Sequence, residues 1–580
     1  MASMAAPEPG RRELREGLVA EAAVPRSFFK DELKTMFSIG WPMLVSFFCR
    51  FGMASEDSAF VGHLTSGSAA RRLSLGQGGV FAGGLFGHVG AAFISYGFLA
   101  GDALSSGEGA MKYLAAAGLA DMVTNILIIP PLAFNQSLNA LVSQAMGSGN
   151  KKMAGTWLQL SLLWLTASYL PMLASFFFVS PMLHVLGFSD DLCDLAGLYA
   201  KFNVFWPIPN GWYQCMRFYF QAQGISRPAM YNNIFFLLVN ALLNWILVFG
   251  GPFRDWFGWE GLGFIGAAIS LSCSRSLQPF AYWLYMFVWR KAHVETWPSW
   301  SERTFMKPEH VKSFMQMSAP QIGTLIFQAV VGQATTLLIS KLGPVAIAAS
   351  AATQAATMVL TGGLSPTLSM VGGIRVGFYL GKGQPVRASR VSMLVLVVGV
   401  GITAVLGVAV LPFAHQLMSV VTNDPEVQAP AASILPAVVV NLVASIVVSI
   451  ATQGILTSQG RTKVVTFLSM GFELPVSIGS TAALVFLFDA GLLAVYWAQA
   501  AVTVFEAFVI MAIVQRSDWA EFARQAQERQ RSNDAENNDE DPEEADPPRH
   551  ASEISMQEAA EEKKVSGEGT SHSDSPRRGA

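Results

Sequence analysis

Apolar runs long enough to cross a bilayer follow one another from about residue 36 to residue 515, and that feature leaves few folds open to the chain. A membrane-crossing helix needs roughly 20 apolar residues. The stretches 234–249, 391–411 and 438–450, with their flanks, supply them. Lipid offers an exposed amide no hydrogen-bond partner, so each run must satisfy its own backbone as a helix. Of the 580 residues 52% are hydrophobic and only 14% charged, with a mean hydropathy of +0.39, too little charge to cover a water-soluble protein of this length. Polar residues gather at the ends, in the first 35 positions and after Arg516.

Twelve spans are predicted, near 36–62, 113–145, 155–187, 195–222, 229–250, 260–289, 315–340, 345–378, 389–420, 427–457, 463–488 and 491–515. Basic residues set their direction. Arg11, Arg12, Arg15, Arg26, Lys30 and Lys34 precede the first span, Lys151 and Lys152 follow the second, and Arg227 follows the fourth. Arg290, Lys291, Arg303, Lys307 and Lys312 follow the sixth, Lys382, Arg387 and Arg390 the eighth, and Arg461 and Lys463 the tenth. The alternate loops carry Asp190, Asp191, Asp194, Asp424, Glu426 and Asp489, with little basic charge beyond Arg254 and Lys341 once Arg71 and Arg72, in a glycine-rich insertion after the first span, are set aside. Both termini are therefore predicted to be cytoplasmic, in a plasma or organelle membrane.

Several function classes are disfavoured. A net charge of −3 gives no basic surface for nucleic acid. The four cysteines, Cys49, Cys193, Cys215 and Cys273, are scattered without a CxxC or Cys/His cluster, which argues against a zinc site or disulfide framework. No GxxxxGK[ST] loop appears, which argues against an ATP-driven pump, and nothing suggests an enzyme or a cofactor. Residues 1–27 lack a signal-peptide core and are acidic for a transit peptide.

The two halves repeat. Gly147-Ser148-Gly149-Asn150 ends the second span and Gly381-Lys382-Gly383-Gln384 the eighth, an offset of 234. Gln223-Gly224 and Gln459-Gly460 end the fourth and tenth, an offset of 236. Repeats of about six helices mark secondary transporters, which rock one half against the other around a central site. Before residue 65 the best offset is 278, pairing Pro42 with Pro320 and Leu64 with Leu342, so roughly 43 extra residues lie between His63 and Lys112. This glycine-rich insertion, about 67–111, is read as a non-core excursion on the outer side, re-entrant or disordered, or else as retained non-coding material, because a thirteenth crossing would invert every later loop against the basic residues.

Four motifs carry a family resemblance. Asp57-Ser58-Ala59-Phe60-Val61-Gly62-His63-Leu64 resembles the first-helix Asp-Thr-x-x-x-Gly-x-Leu of the multidrug and toxin extrusion (MATE) transporters. Gln144-Ala145-Met146-Gly147 is similar to their Gln-Ala-x-Gly, and Phe220-Gln221-Ala222-Gln223-Gly224 to their Leu-Gln-Ala-Gln-Gly. Arg375-Val376-Gly377 with Leu380-Gly381-Lys382-Gly383 resembles Arg-Val-x-Asn-x-Leu-Gly-Ala-Gly of helix eight. The resemblance covers roughly 30–515 without the insertion. It implies an all-α membrane protein of twelve transmembrane helices in two six-helix lobes around a central cavity, exporting organic solutes in exchange for H+ or Na+.

Within that frame, the expected parts are an N-terminal arm (1–35), an N-lobe (36–289), a linker (290–314), a C-lobe (315–515) and a disordered acidic tail (516–580). Asp57 is the first candidate for ion coupling, since an ionised carboxylate in a span is costly and such residues line cavities or take protons. The resemblance implies the same role; an aspartate satisfied by water near the helix end would look alike. Glu56, one residue away and about 100° round the helix, is expected to face elsewhere. Arg50, two turns before Asp57, would hold Asp57 ionised or attract an anion, or merely bond carbonyls. Asn240 and Asn244 share a helix face and match family positions that bond the first-helix carboxylate.

Animal relatives carry acids on helix seven where Gln328 and Gln333 stand, which leaves Glu473, beside Pro475, as the C-lobe acid to test. Asp121 and Glu506 rank lower. Trp206, Trp212, Tyr213 and Phe220 would either hold a cation or pack. The reading is an antiporter for small organic solutes, organic cations first, acting as a monomer. An organic-anion exporter, a lipid flippase and a transport-silent scaffold are the alternatives.

Overall fold

The computed structural model describes residues 26–62, 109–128, 130–298, 304–421, 424–488 and 490–531, and every regular element among these is helical. The first helix, α1 (Arg26–Gly62), is 37 residues long. Residues 26–35, assigned by composition to an arm, simply continue it, and Glu32 in that stretch is buried. The second predicted span is divided into α2 (Gly109–Ile128) and α3 (Ala133–Ser148), with a 3-10 turn at Pro130–Leu132 between them. Proline removes a backbone donor and crowds the preceding turn, so the break falls at Pro130-Pro131. The lobe continues with α4 (Lys151–Ser175), α5 (Asp190–Phe202), α6 (Pro207–Ala222), α7 (Arg227–Phe249) and α8 (Phe264–Trp283).

The second lobe comprises α9 (Pro308–Ser340), α10 (Pro344–Met358), α11 (Ser365–Gly381), α12 (Pro385–Val410), α13 (Pro425–Ser449), α14 (Thr462–Leu468) and α15 (Leu492–Gln515). Proline stands in the first turn of α6, α7, α9, α11, α12 and α13, where its missing N–H costs nothing. Among the described residues eight helices are long and apolar enough to cross a membrane, or nine if the bent pair Pro344–Met358 and Gly362–Gly381 is one span. The other predicted spans are helical as well: the second and fourth are each split in two, and the sixth, α8, is diluted by Arg275, Gln278 and several serines. The insertion near 67–111 lies outside the described residues up to Gly109.

The repeat reappears as contact symmetry. A Cβ on Gly147 would strike the Phe378 carbonyl, and one on Gly381 the Gln144 carbonyl. The offset of 234 pairs Gln144 with Phe378 and Gly147 with Gly381, so α3 and α11 cross through two equivalent glycine contacts. Nearby, Gln144 Nε2 donates to the Ser458 carbonyl at 2.7 Å. Gly147→Val must force the helices apart, at a cost of about 1–3 kcal/mol for overpacking. A lower melting temperature in detergent is the expected reading, and an unchanged one would mean that the crossing yields freely.

A second tie joins the lobes at the same end. Arg375 on α11 donates from Nη2 to Glu32 Oε2 on α1 at 2.8 Å, and Tyr379 Oη donates to the same oxygen at 3.0 Å. Glu32 is only 3% exposed.

Composition predicts disorder throughout 516–580, but residues 519–531 form α16 (Trp519–Arg531). Ala523, Ala526 and Gln530, spaced three and four apart, make its buried face, while Arg524 pairs with Glu521 and Glu528 on the exposed one. A face of small and amide side chains carries little hydropathy, so composition misses it. Arg529 reaches both lobes, donating to Gln144 Oε1 at 3.2 Å and the Gln459 carbonyl at 3.3 Å. Burial pushes its guanidinium down to about 10, so it is still cationic at neutral pH. Gln530 accepts from Trp157 Nε1 at 3.3 Å and, through its carbonyl, from Asn150 Nδ2 at 3.0 Å. Residues 532–580 lie outside the described residues.

Candidate functional site

Asp57 sits near the end of α1 and is only 6% exposed. Its Oδ1 accepts from Asn240 Nδ2 at 2.9 Å and Asn244 Nδ2 at 2.8 Å, both on α7. One turn separates the two asparagines, and the helix stacks their amides over the same oxygen. Ser274 on α8 fixes Asn240 by donating to its Oδ1 at 2.6 Å. The cluster is thus built from α1, α7 and α8 and oriented by side chains that are themselves held.

Glu56 differs from expectation. Asn240 Nδ2 also reaches Glu56 Oε2, at 3.2 Å, so the two acids share an amide. The Cα–Cβ bonds of neighbouring helical residues diverge by about 100°, but a glutamate side chain is long enough to swing back. Arg275 on α8 is the cation that acts on Asp57 and also on Asp121 of α2, and Tyr199 of α5 lies within reach of both acids. Arg50 is not the partner of Asp57: its charged neighbours are Arg217 and Arg275. Neither of these arginines was singled out by sequence reasoning, although a charge inside a predicted span was the signal available for both.

The remaining candidates fall elsewhere. Tyr213 and Phe220 are buried in the lobe core, where each meets the Tyr282 ring. Trp212 is exposed and donates to Thr166 at 2.9 Å. Of that aromatic group only Trp206 flanks the cluster, beneath Arg275 at 4.8 Å. Gln328 is half-buried on α9 and Glu506 buried on α15, both away from Asp57 in the other lobe. The side chains of Gln333 and Glu473 lie outside the described residues. No group of three or more His, Cys, Asp or Glu that could hold a metal occurs among the described residues. An arriving Na+ would find oxygens on Asp57 and on Asn244, whose Oδ1 is buried without a partner, whereas a proton on Asp57 would add a donor there.

The MatE family profile matches residues 92–246 and 320–478, one block in each lobe and more than half the chain. The chain belongs to the MATE family. Among MATE proteins, it is 26% identical over 400 residues to multidrug and toxin extrusion protein 1 of Xenopus tropicalis, covering 67% of this chain and 66% of that protein, just under two thirds of its length. It is 24% identical over 422 residues to protein DETOXIFICATION 36 of Arabidopsis thaliana, covering 72% and 80%. Two solved MATE structures share the fold. The eukaryotic transporter AtDTX14 superposes with a TM-score of 0.66 at 17% identity, over 86% of this chain and 99% of that one. Vibrio cholerae VcmN in the bent form superposes with a TM-score of 0.67 at 15% identity, over 87% and 100%. This MATE chain is accordingly a multi-pass integral membrane protein with an all-helical, two-lobed fold.

Proposed function

We propose that this MATE protein is a cation-coupled antiporter exporting small organic solutes, with Asp57 as the carboxylate that takes H+ or Na+. The observation that carries the reading is the Asp57–Asn240–Asn244 cluster: a carboxylate buried in a membrane helix, held by two amides and facing Arg275. Ionisable groups so placed in a bilayer are expensive and usually functional. The relative named for multidrug and toxin extrusion supports efflux as the direction of transport.

Coupling follows from differential affinity, since an ion shifts the lobes only if it binds one arrangement more tightly. Gln144, Arg375 and α16 join the lobes at the end where α1 begins and α15 finishes. With the termini cytoplasmic, as the basic residues predict, this arrangement faces outward. Protonating Asp57, or giving it Na+, would favour releasing the solute, and losing the ion would permit return.

Export from proteoliposomes under an imposed pH or Na+ gradient tests the reading, with fluorescent organic cations and anions as probes. Movement against the solute's own concentration gradient that stops when the ion gradient is collapsed is expected. Equal movement with and without either gradient would replace the antiporter with a passive carrier.

A further inference from the structure

Three arginines enter the N-lobe interior from three helices: Arg50 from α1, Arg217 from α6 and Arg275 from α8. Arg217 is 2% exposed. Its Nε and Nη2 donate to Gln214 Oε1 at 3.0 and 2.7 Å, and its guanidinium lies 4.6 Å from the Phe218 ring and 5.3 Å from that of Phe47. The third nitrogen, Nη1, is buried and bonds to nothing. Arg275 rests over Trp206 with its Nε buried and unpartnered, and Arg50 Nη1 is in the same state.

The acids of the lobe answer only one of these charges. Asp57 and Asp121 interact with Arg275. The charged and ionisable groups acting on Arg50 are Arg217, Arg275, Tyr213 and Tyr169, and those acting on Arg217 are Tyr213 and Tyr282. No carboxylate is among them. The hydroxyls of Tyr169 and Tyr282 and the Trp206 Nε1 are also buried without partners, which adds further unpaired donors to the lobe interior.

A buried donor left unpaired is costly, and like charges away from water repel strongly. One kind of ligand relieves both. An anion brings oxygen acceptors, and a guanidinium fork matches a carboxylate in shape and charge. The rings of Phe47, Trp206 and Phe218 supply flat apolar faces beside the guanidinium groups. An organic cation would instead add positive charge next to two arginines that have no counter-ion. We propose that Arg50, Arg217 and Arg275 bind the carboxylate of an exported organic anion whose apolar body lies against Phe47, Trp206 and Phe218. This assignment rests on the export reading and names its cargo class.

The test is calorimetric binding to the purified full chain in detergent, with benzoate, salicylate and phthalate as probes. Salicylamide, sodium chloride and tetraethylammonium serve as comparisons. At least one carboxylate should bind, and Arg50→Gln should weaken it by roughly ten-fold or more, the loss of one charge-assisted hydrogen bond. Arg50→Lys should recover only part, because an ammonium keeps the charge without the fork. Replacing the fully buried Arg217 can unfold the lobe, so Arg275→Lys at a half-buried position is the second variant, with melting temperature checked for each. The proposal fails if none of the three carboxylates binds, or if salicylamide or chloride binds as well as salicylate. It also fails if Arg50→Gln and Arg275→Lys leave carboxylate affinity unchanged. Binding is read without any gradient, so a failure of antiport would not mask the result.

Discussion

Asp57→Asn should reduce gradient-driven export to the level of protein-free liposomes, while solute binding and the fold survive. Asparagine keeps the size of the side chain at this 6%-exposed site but cannot exchange a proton or neutralise Na+. Without an ion that distinguishes the two lobe arrangements, the gradient has no hold on the equilibrium. The loss of a charged acceptor for Asn240 and Asn244 carries a stability cost of about 1.5–3 kcal/mol. A melting curve beside the transport assay separates that cost from the loss of coupling. Export at the wild-type rate would move the coupling site away from Asp57, with Glu56 and Asp121 the next acids in the cluster.

The second large effect concerns the tie between the lobes. Glu32→Ala leaves Arg375, whose side chain is only 15% exposed, without its counter-ion, and breaking a largely buried pair costs about 3–5 kcal/mol. The pair exists only while α1 and α11 meet on the terminus side, so the cost falls on that arrangement alone. Reversing a 99:1 preference needs roughly 5.5 kcal/mol, so a change of this size moves much of the population. Spin labels on either side of the α3–α11 crossing should show longer distances in Glu32→Ala. The double change Glu32→Leu with Arg375→Leu, which removes both charges, should restore the short distance. Unchanged distances in the single variant would mean that the Gly147–Gly381 crossing and α16 hold the end without the pair.

Much of this architecture is legible in the sequence. Helicity followed from lipid, and the offset of 234 marked Gly147 and Gly381 as equivalent, though not that each packs against the other's helix. The break at Pro130-Pro131 is readable from the prolines, but the apolar residues on both sides run on as if one long span crossed them. Asn240 and Asn244 could be placed on one face because their spacing is local. Glu56 could not, because its reach depends on where α7 lies. Arg217 and Arg275 were visible as charges in predicted spans, but that they face Arg50 and not an acid is a tertiary fact. The burial of α16 escaped for another reason: alanine and glutamine score poorly as core, yet fit a shallow groove between helix ends.

The most direct test of the central claim runs transport backwards. Proteoliposomes loaded with a transported solute, with no ion gradient imposed, are watched for H+ or Na+ movement as the solute leaves. Ions should move in the opposite direction to the solute, in fixed proportion, and Asp57→Asn should stop this movement. Solute efflux from the wild-type protein with no accompanying ion flux would contradict that claim.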